Sequence, residues 1–334
     1  MKIKFLLAVA VLAALLTPHP SQADVKPQLF GVQQDAYIPW LSWKGKLLAV
    51  INENTNRFQI WDVATRRSLW KSDDFLLAVS RDEKTVMVAH AAQPIAEEEL
   101  SDINGVSFLL LDARTGHQLK RIPPVISTNQ SNEVDELLEY GFLDDGNDFI
   151  LATQDYLRVY NARSGALRIA KKWSGLKADV PLTCATLTYD KKHIVAFDGD
   201  FVVLDAHSGA LVRRMKHMKP SVTSEEVWEE GPDMLEVSPD NYLLVEKFAA
   251  SNNSRVYRLS DGKLLWSTSD WPTFSWDGKL AYVPTELGLE IHDAHTGRKL
   301  NRLAGPKEYG FEPSPDGNWF YEARDNKIYR WRAR

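Results

Sequence analysis

The sequence predicts an all-β chain, a seven-bladed β-propeller of four-stranded antiparallel blades whose ring is closed by the mature N-terminal strand. Three observations carry this expectation. A hairpin signature recurs along the chain, a second turn signature recurs between its copies, and the two keep one register from end to end.

The hairpin signature is clearest in FVVLDAHSGAL from Phe201, FLLLDARTGHQL from Phe108, YLRVYNARSGAL from Tyr156 and LEIHDAHTGRKL from Leu289. FQIWDVATRRSL from Phe58 and RVYRLSDGKLL from Arg255 are looser copies. In all but the copy at Arg255, the β-rich run ends in Asp or Asn, a residue whose side-chain oxygen can accept a hydrogen bond from a backbone N–H two residues on. Glycine then supplies the left-handed conformation that closes a type I turn with a bulge. Arg66 stands at the glycine position of the first copy, where a residue with a Cβ is expected to be strained.

The copy at Phe201 also gathers Asp205, His207 and Ser208, the residue types of a hydrolase triad. Triad members are brought together by the fold from separate segments. Across the copies the histidine and serine come and go while the turn residues stay. The stretch therefore reads as a turn, and no catalytic residue is assigned.

The second signature is a short turn between two apolar runs: SWKG at 42, SRDE at 80, LDDG at 143, TYDK at 188, SPDN at 238, SWDG at 275 and SPDG at 314. With the hairpin it defines blades of about 44 residues, a normal propeller repeat. The seventh copy ends RDNKIYRWRAR, one strand short. A spare β-like segment near Leu29 to Gln33 is expected to supply that strand by pairing with Ile328 to Trp331, since closure removes an open sheet edge.

Upstream, Lys2 and Lys4 precede an apolar run from Phe5 to Leu16 and a small-x-small site at Ser21-Gln22-Ala23. This reads as a secretory signal peptide over residues 1–23, with the run too short to span a bilayer. The expectations are export to the periplasm, one propeller domain over residues 24–334, no membrane span and a monomer. The formal net charge is −5, and −7 without the two leader lysines, which argues against nucleic acid as a partner. Cys184 is the only cysteine, so an intramolecular disulfide is impossible and a buried structural thiol is expected.

Over essentially the whole mature chain the repeats resemble two propeller families. FQIWDVAT, with Trp61-Asp62, is similar to a WD-repeat. The D-x-x-T-G-x-x-L copies, with the pairs Leu69-Trp70 and Leu265-Trp266, resemble quinoprotein-type (PQQ-like) repeats of exported bacterial proteins. The resemblance implies a shape more than an activity, because such propellers serve as enzymes, cofactor holders and scaffolds. A quinone would need a pocket and commonly a metal, and no ligand cluster supplies one, so no cofactor is expected. Haem, zinc, nucleophile-elbow and phosphate-loop motifs are absent from the sequence. Asp198-Gly199-Asp200 and the acidic run at 144–148 read as turns more than calcium loops, and the metal question stays open. The histidines are scattered; His207 and His295 share a turn position, and His90 and His217 lie in insertions. The tryptophans read as blade packing, Trp228 excepted.

In a meander of strands A to D, the A–B and C–D turns lie on one face of the ring and the B–C and D–A connections on the other. The long departures from the repeat, at 90–106, 123–140, 170–183 and 216–233, are B–C or D–A connections of blades 2 to 5 and so share one face. They hold Glu97, Glu98, Glu99, Glu133, Asp135, Glu136, Glu139, Glu225, Glu226, Glu229 and Glu230, with Trp228 among them. Loops on a rigid scaffold are where binding usually sits, and a surface of one sign steers a partner of the other. The leading expectation is a periplasmic non-catalytic binding or scaffold propeller that holds a protein or peptide partner, a basic one by complementarity, on this acidic loop face. The alternatives are a propeller enzyme of quinoprotein-like or lactonase-like activity, and a cation or small-ligand binder at the central channel. For the channel, Glu236 and Glu312 stand two residues before their turn signatures, opposite the apolar set of the innermost strand.

Overall fold

The computed structural model describes residues 27–52, 57–90, 106–123, 137–143, 146–173, 175–177, 182–217, 231–249, 253–303 and 311–333. These residues form seven four-stranded antiparallel sheets and contain no helix. Six sheets are simple meanders in chain order, and the strands nearest the axis are the first of each, designated A. They are Ala36–Leu41, Phe75–Val79, Leu137–Phe142, Cys184–Leu187, Met234–Val237 and Thr273–Phe274 in blades 1 to 6, and Phe311–Pro313 takes the same place in blade 7.

The seventh sheet closes the ring. Its three inner strands come from the C-terminus, and Gln28–Val32 is the fourth, antiparallel to Lys327–Arg332 with Leu29 opposite Tyr329 and Gly31 opposite Ile328. A bulge between Leu29 and Gly31 turns Phe30 inward, where it meets Trp61 and Tyr321 edge to face at 6.3 and 5.4 Å. The expected pairing is therefore present, and its bulge lets one strand pair in blade 7 while packing on blade 1.

The core is distributed. Each of seven apolar clusters joins two neighbouring blades, from Leu47 and Val86 between blades 1 and 2 to Tyr282 and Phe320 between blades 6 and 7. Both faces of a middle strand are covered in such a ring, so these strands are continuously buried, as in Leu243–Phe248 and Phe149 to Thr153. Burial alternates in the innermost strands, as in Met234–Val237 and Phe311–Pro313, and gives way to exposure at the rim, as in Leu167–Lys172.

The hairpins obey the expected chemistry with one refinement. Asp205 Oδ1 accepts from His207 N two residues on at 3.2 Å, but the shorter bonds come from three residues on, Ser208 N at 2.7 Å and Ser208 Oγ at 2.6 Å. Asp62, Asp112, Asn161 and Asp293 repeat this with their own Thr or Ser. Arg66 takes the left-handed φ of 57° at the position where other copies have glycine. At Gly297 the absent side chain has a second use: a Cβ there would lie 2.5 Å from Trp266 of the preceding blade, whose indole N–H donates to Ala294 O at 2.8 Å. Trp70 makes the same tie to Ala113 O at 3.0 Å, so both Leu-Trp pairs join blades.

The A–B turns are also linked around the ring. Glu83 and Asn241 hold positive φ at the last position of their turns, where four copies have glycine. Each uses its side chain to reach the blade before it. Glu83 Oε1 accepts from Ser42 Oγ and Lys44 N, both at 2.6 Å, and Asn241 Oδ1 accepts from Asp190 N at 3.2 Å.

Candidate functional site: the central channel

Strand A presents alternate residues to the axis, and those two positions before the A–B turn converge on a channel cavity of about 500 Å³. Trp40, Ala78, Gly141, Thr186, Glu236 and Glu312 line it from six blades. The residues one and three positions before the turn, such as Val237 and Leu235, are buried between blades. The expected alternation therefore holds at both carboxylates.

At the A–B face the cavity ends in an aromatic floor. Trp43, Tyr189 and Trp276 are the second residues of their turns in blades 1, 4 and 6, and they meet at the axis. Ring centroids are 5.3 Å apart for Trp43 and Trp276, 5.7 Å for Trp43 and Tyr189, and 6.3 Å for Tyr189 and Trp276. The indole N–H of Trp276 donates to Pro313 O at 2.8 Å, which fixes its tilt. The Arg81 guanidinium lies 4.5 Å from the Trp43 ring centroid. Sequence reading assigned the two tryptophans to blade packing and did not single out Tyr189. The signal that distinguishes them is an aromatic residue directly after the first residue of the turn.

The two carboxylates differ in their surroundings. Glu236 Oε2 is paired with Lys247 Nζ of the neighbouring strand at 2.5 Å. Glu312 has no hydrogen-bond or ion-pair partner among the described residues. Burial, and then the charge of Glu236, push its carboxyl well above the usual range. Burial and the charges of Glu236 and Glu312 push the Tyr189 hydroxyl up as well, so both carboxylates stand within electrostatic reach of the floor.

Glu139 belongs with the channel and not with the acidic insertion where sequence reading placed it. It lies in strand A of blade 3, at a bulge that hid the alternation, and lines the cavity. Its oxygens accept from Tyr140 N at 2.7 Å and from Leu187 N of blade 4 at 2.6 Å, while burial raises its pKa. It ties two inner strands together.

The other loop-face candidates, Glu97, Glu98, Glu99, Glu133, Asp135, Glu136, Glu225, Glu226, Trp228, Glu229 and Glu230, lie outside the described residues. What the fold does show is where their connections depart. Strand B of blade 2 ends at His90 and strand C begins at Ser107; the D–A connections follow Ile122 and Met215. All leave the ring at the end opposite the aromatic floor.

The remaining candidates have structural partners. Asp198 is bound by Arg214 Nη1 at 2.6 Å and Asp200 by Lys177 Nζ at 3.0 Å, so these carboxylates are already neutralised. Asp148 pairs with Arg168 at 2.8 Å. His90 meets Asp74 at 2.6 Å, and His295 meets Asp240 at 3.0 Å. His217 lies 2.8 Å from the buried carboxylate of Glu246, which also accepts from the Tyr257 hydroxyl at 2.7 Å. Among the described residues no group of three or more His, Cys, Asp or Glu side chains converges as a metal site. The Cys184 thiol is buried and its pKa is pushed up to about 12 by that burial. In the hairpin at Phe201, the Ser208 hydroxyl donates to Asp205, and the exposed His207 imidazole acts on Asp205 only by charge, with no side-chain hydrogen bond or ion pair among the described residues. That geometry is a capped turn.

The chain matches no protein-family profile and no curated protein sequence. Among solved structures it is similar to the β-propeller domain of Cps50 (Swd1) from Myceliophteria thermophila, with a TM-score of 0.63 and 15% identity. The likeness covers 92% of this chain and 99% of that one, and it extends to the fold. Among the described residues no helix is long and apolar enough to cross a membrane.

Proposed function

We propose that this seven-bladed propeller is a non-catalytic binding or scaffold protein of the periplasm. Residues 1–23 serve as its export signal. It holds a protein or peptide partner, basic in character, on the face from which the insertions of blades 2 to 5 leave. The observation that supports this reading best is the floor of Trp43, Tyr189 and Trp276. It ends the channel at the A–B face, so the carboxylates inside address the end of the ring at which the strands flanking the insertions stop.

Charge favours a basic partner, because the insertions concentrate the acidity of a chain whose formal net charge is −5. The test compares wild type with a variant carrying Gln at Glu97, Glu98, Glu99, Glu225, Glu226, Glu229 and Glu230. Each is used to capture partners from periplasmic extract at low and high salt. Capture by wild type that is lost in the variant and weakened by salt is the expected result. Equal capture by both proteins would overturn the choice of face. Recovery of the protein from the cytoplasmic fraction, with residues 1–23 still attached, would overturn the localisation.

A second reading rests on the same cavity, that of a channel binding a small ligand or supporting chemistry. Native mass spectrometry separates the two, since a retained cofactor or metal favours the second.

A further inference from the structure

Glu312 is a carboxyl group facing the cavity with no hydrogen-bond or ion-pair partner among the described residues, while every other acidic group lining that cavity is held. Glu236 has Lys247, and Glu139 has two backbone amides. A carboxyl left this way is costly when ionised unless something brings it a positive charge. The groups that face it are consistent with that need. Glu236 adds negative charge and Tyr189 is a neutral phenol; Lys191 and Arg81 line the same cavity, each beside a floor ring, Lys191 at Tyr189 and Arg81 at Trp43.

The floor adds a second preference, independent of the first. The negative faces of Trp and Tyr rings attract organic cations, most strongly where water is excluded. Arg81 already lies 4.5 Å from the Trp43 centroid and Lys191 5.9 Å from that of Tyr189, which leaves Trp276 as the ring with no cation against it among the described residues. A bare metal ion gains little there, and it would find Glu236 already bridged to Lys247 and no third ligand among the described residues. A cavity of about 500 Å³ has room for one extended side chain and its residual water, and not for a folded segment.

We propose that the channel is the specificity pocket of the binding face: it receives a single basic side chain, ammonium or guanidinium, from the partner, with Glu312 as its counter-ion and Trp43, Tyr189 and Trp276 beneath it. The proposal rests on the reading of the insertion face as the docking side, since that is the side from which the side chain enters. Glu236 and Lys247 form the fixed wall, and Glu312 is the adaptable group. An incoming cation favours ionised Glu312, so binding releases a proton below the pH at which the empty pocket loses it.

The test is isothermal titration of the mature protein with acetyl-Gly-Arg-Gly-amide and acetyl-Gly-Lys-Gly-amide. Acetyl-Gly-Glu-Gly-amide, n-butylammonium and calcium chloride are the comparison ligands. Runs in two buffers of different ionisation enthalpy count the protons released. The basic tripeptides are expected to bind, with proton release, and the acidic tripeptide and calcium not to bind. The Glu312→Gln variant should bind them at least about tenfold more weakly and without proton release, and Ala78→Phe, which fills the channel without altering a charge, should abolish binding. Tripeptide binding with n-butylammonium silent assigns the site to a peptide side chain; n-butylammonium binding as tightly as the tripeptides would overturn that part. No binding of either basic tripeptide, or equal binding by wild type, Glu312→Gln and Ala78→Phe, would overturn the pocket. If Ala78→Phe still captures the partner from extract like wild type, the binding face survives and only the pocket falls.

Discussion

The indole rings of Trp43 and Trp276 meet edge to face at the channel axis, with centroids 5.3 Å apart and planes at 86°. They come from blades 1 and 6, so their contact exists only in the closed ring. The closing strand Gln28–Val32 lies between those blades in space, in blade 7, although it is the first described strand in sequence. The channel floor therefore depends on ring closure.

Closure can be tested at one residue. Phe30 is buried between Trp61 and Tyr321 and joins the cluster between blades 7 and 1. Phe30→Ala is expected to lower stability by about 3–5 kcal/mol, the usual range for an excised core phenylalanine. Deletion of residues 24–34 should cost more, since it also exposes the edge of Lys327–Arg332. Urea unfolding followed by tryptophan fluorescence measures both; unchanged midpoints would show that the ring does not need this strand.

At the hairpin of blade 4, the three polar residues should separate cleanly. Asp205 accepts three bonds from its own turn, so Asp205→Ala is expected to cost about 1–2 kcal/mol. His207→Ala should stay within about 0.5 kcal/mol of wild type, as for other surface substitutions. Any binding activity should survive both. A His207→Ala variant that folds normally and loses a measured activity would reinstate the site as a functional one.

The contrast between what the sequence announces and what it hides follows from the physics of the two layers. Blade number, register and closure were legible because five of the six C–D hairpins carry their Asp or Asn, and all six their left-handed residue, locally, whatever the blade packs against. Glu236 and Glu312 were legible because period-two alternation in strand A is local too. The floor was not. Trp43, Tyr189 and Trp276 are far apart in the chain and converge through the symmetry of the ring, and each alone resembles a packing residue. Glu139 was misplaced because a bulge at Leu137 to Glu139 breaks the alternation that marks its strand. The insertions have no repeat to read them against, so only the side they leave from could be derived.

Acid should weaken the hairpin of blade 1 through Asp62. Hydrogen bonds from the Thr65 amide, the Arg114 guanidinium and the Thr65 hydroxyl hold its pKa at about 2, below the ordinary 3.8. A carboxyl with a depressed folded-state pKa contributes stability above its unfolded value and loses it as the pH falls through the folded one. Allowing for solvent screening, about 1–2 kcal/mol should disappear between about pH 4 and 2. Asp62→Asn should show a shallower loss of stability over that interval. The comparison of urea midpoints decides it, and parallel curves for the two proteins would remove Asp62 as a contributor.

Glu312 should behave in the opposite sense. Burial and Glu236 raise its folded-state pKa, so its contribution is intact in acid and is lost as the pH rises through the ordinary carboxylate range and beyond. The unfolded chain ionises freely there, whereas the folded chain must either keep the proton or hold an uncompensated charge beside Glu236. Glu312→Gln removes that burden with almost no change in shape. The variant and wild type are expected to have matching urea midpoints near about pH 4, with the variant becoming the more stable as the pH approaches about 8. A saturating basic tripeptide should narrow this difference, because it supplies the missing charge to wild type alone. Glutamine that stabilises equally at both ends of the range would mean that Glu312 acts through packing, and that its charge has no part in how the channel is filled.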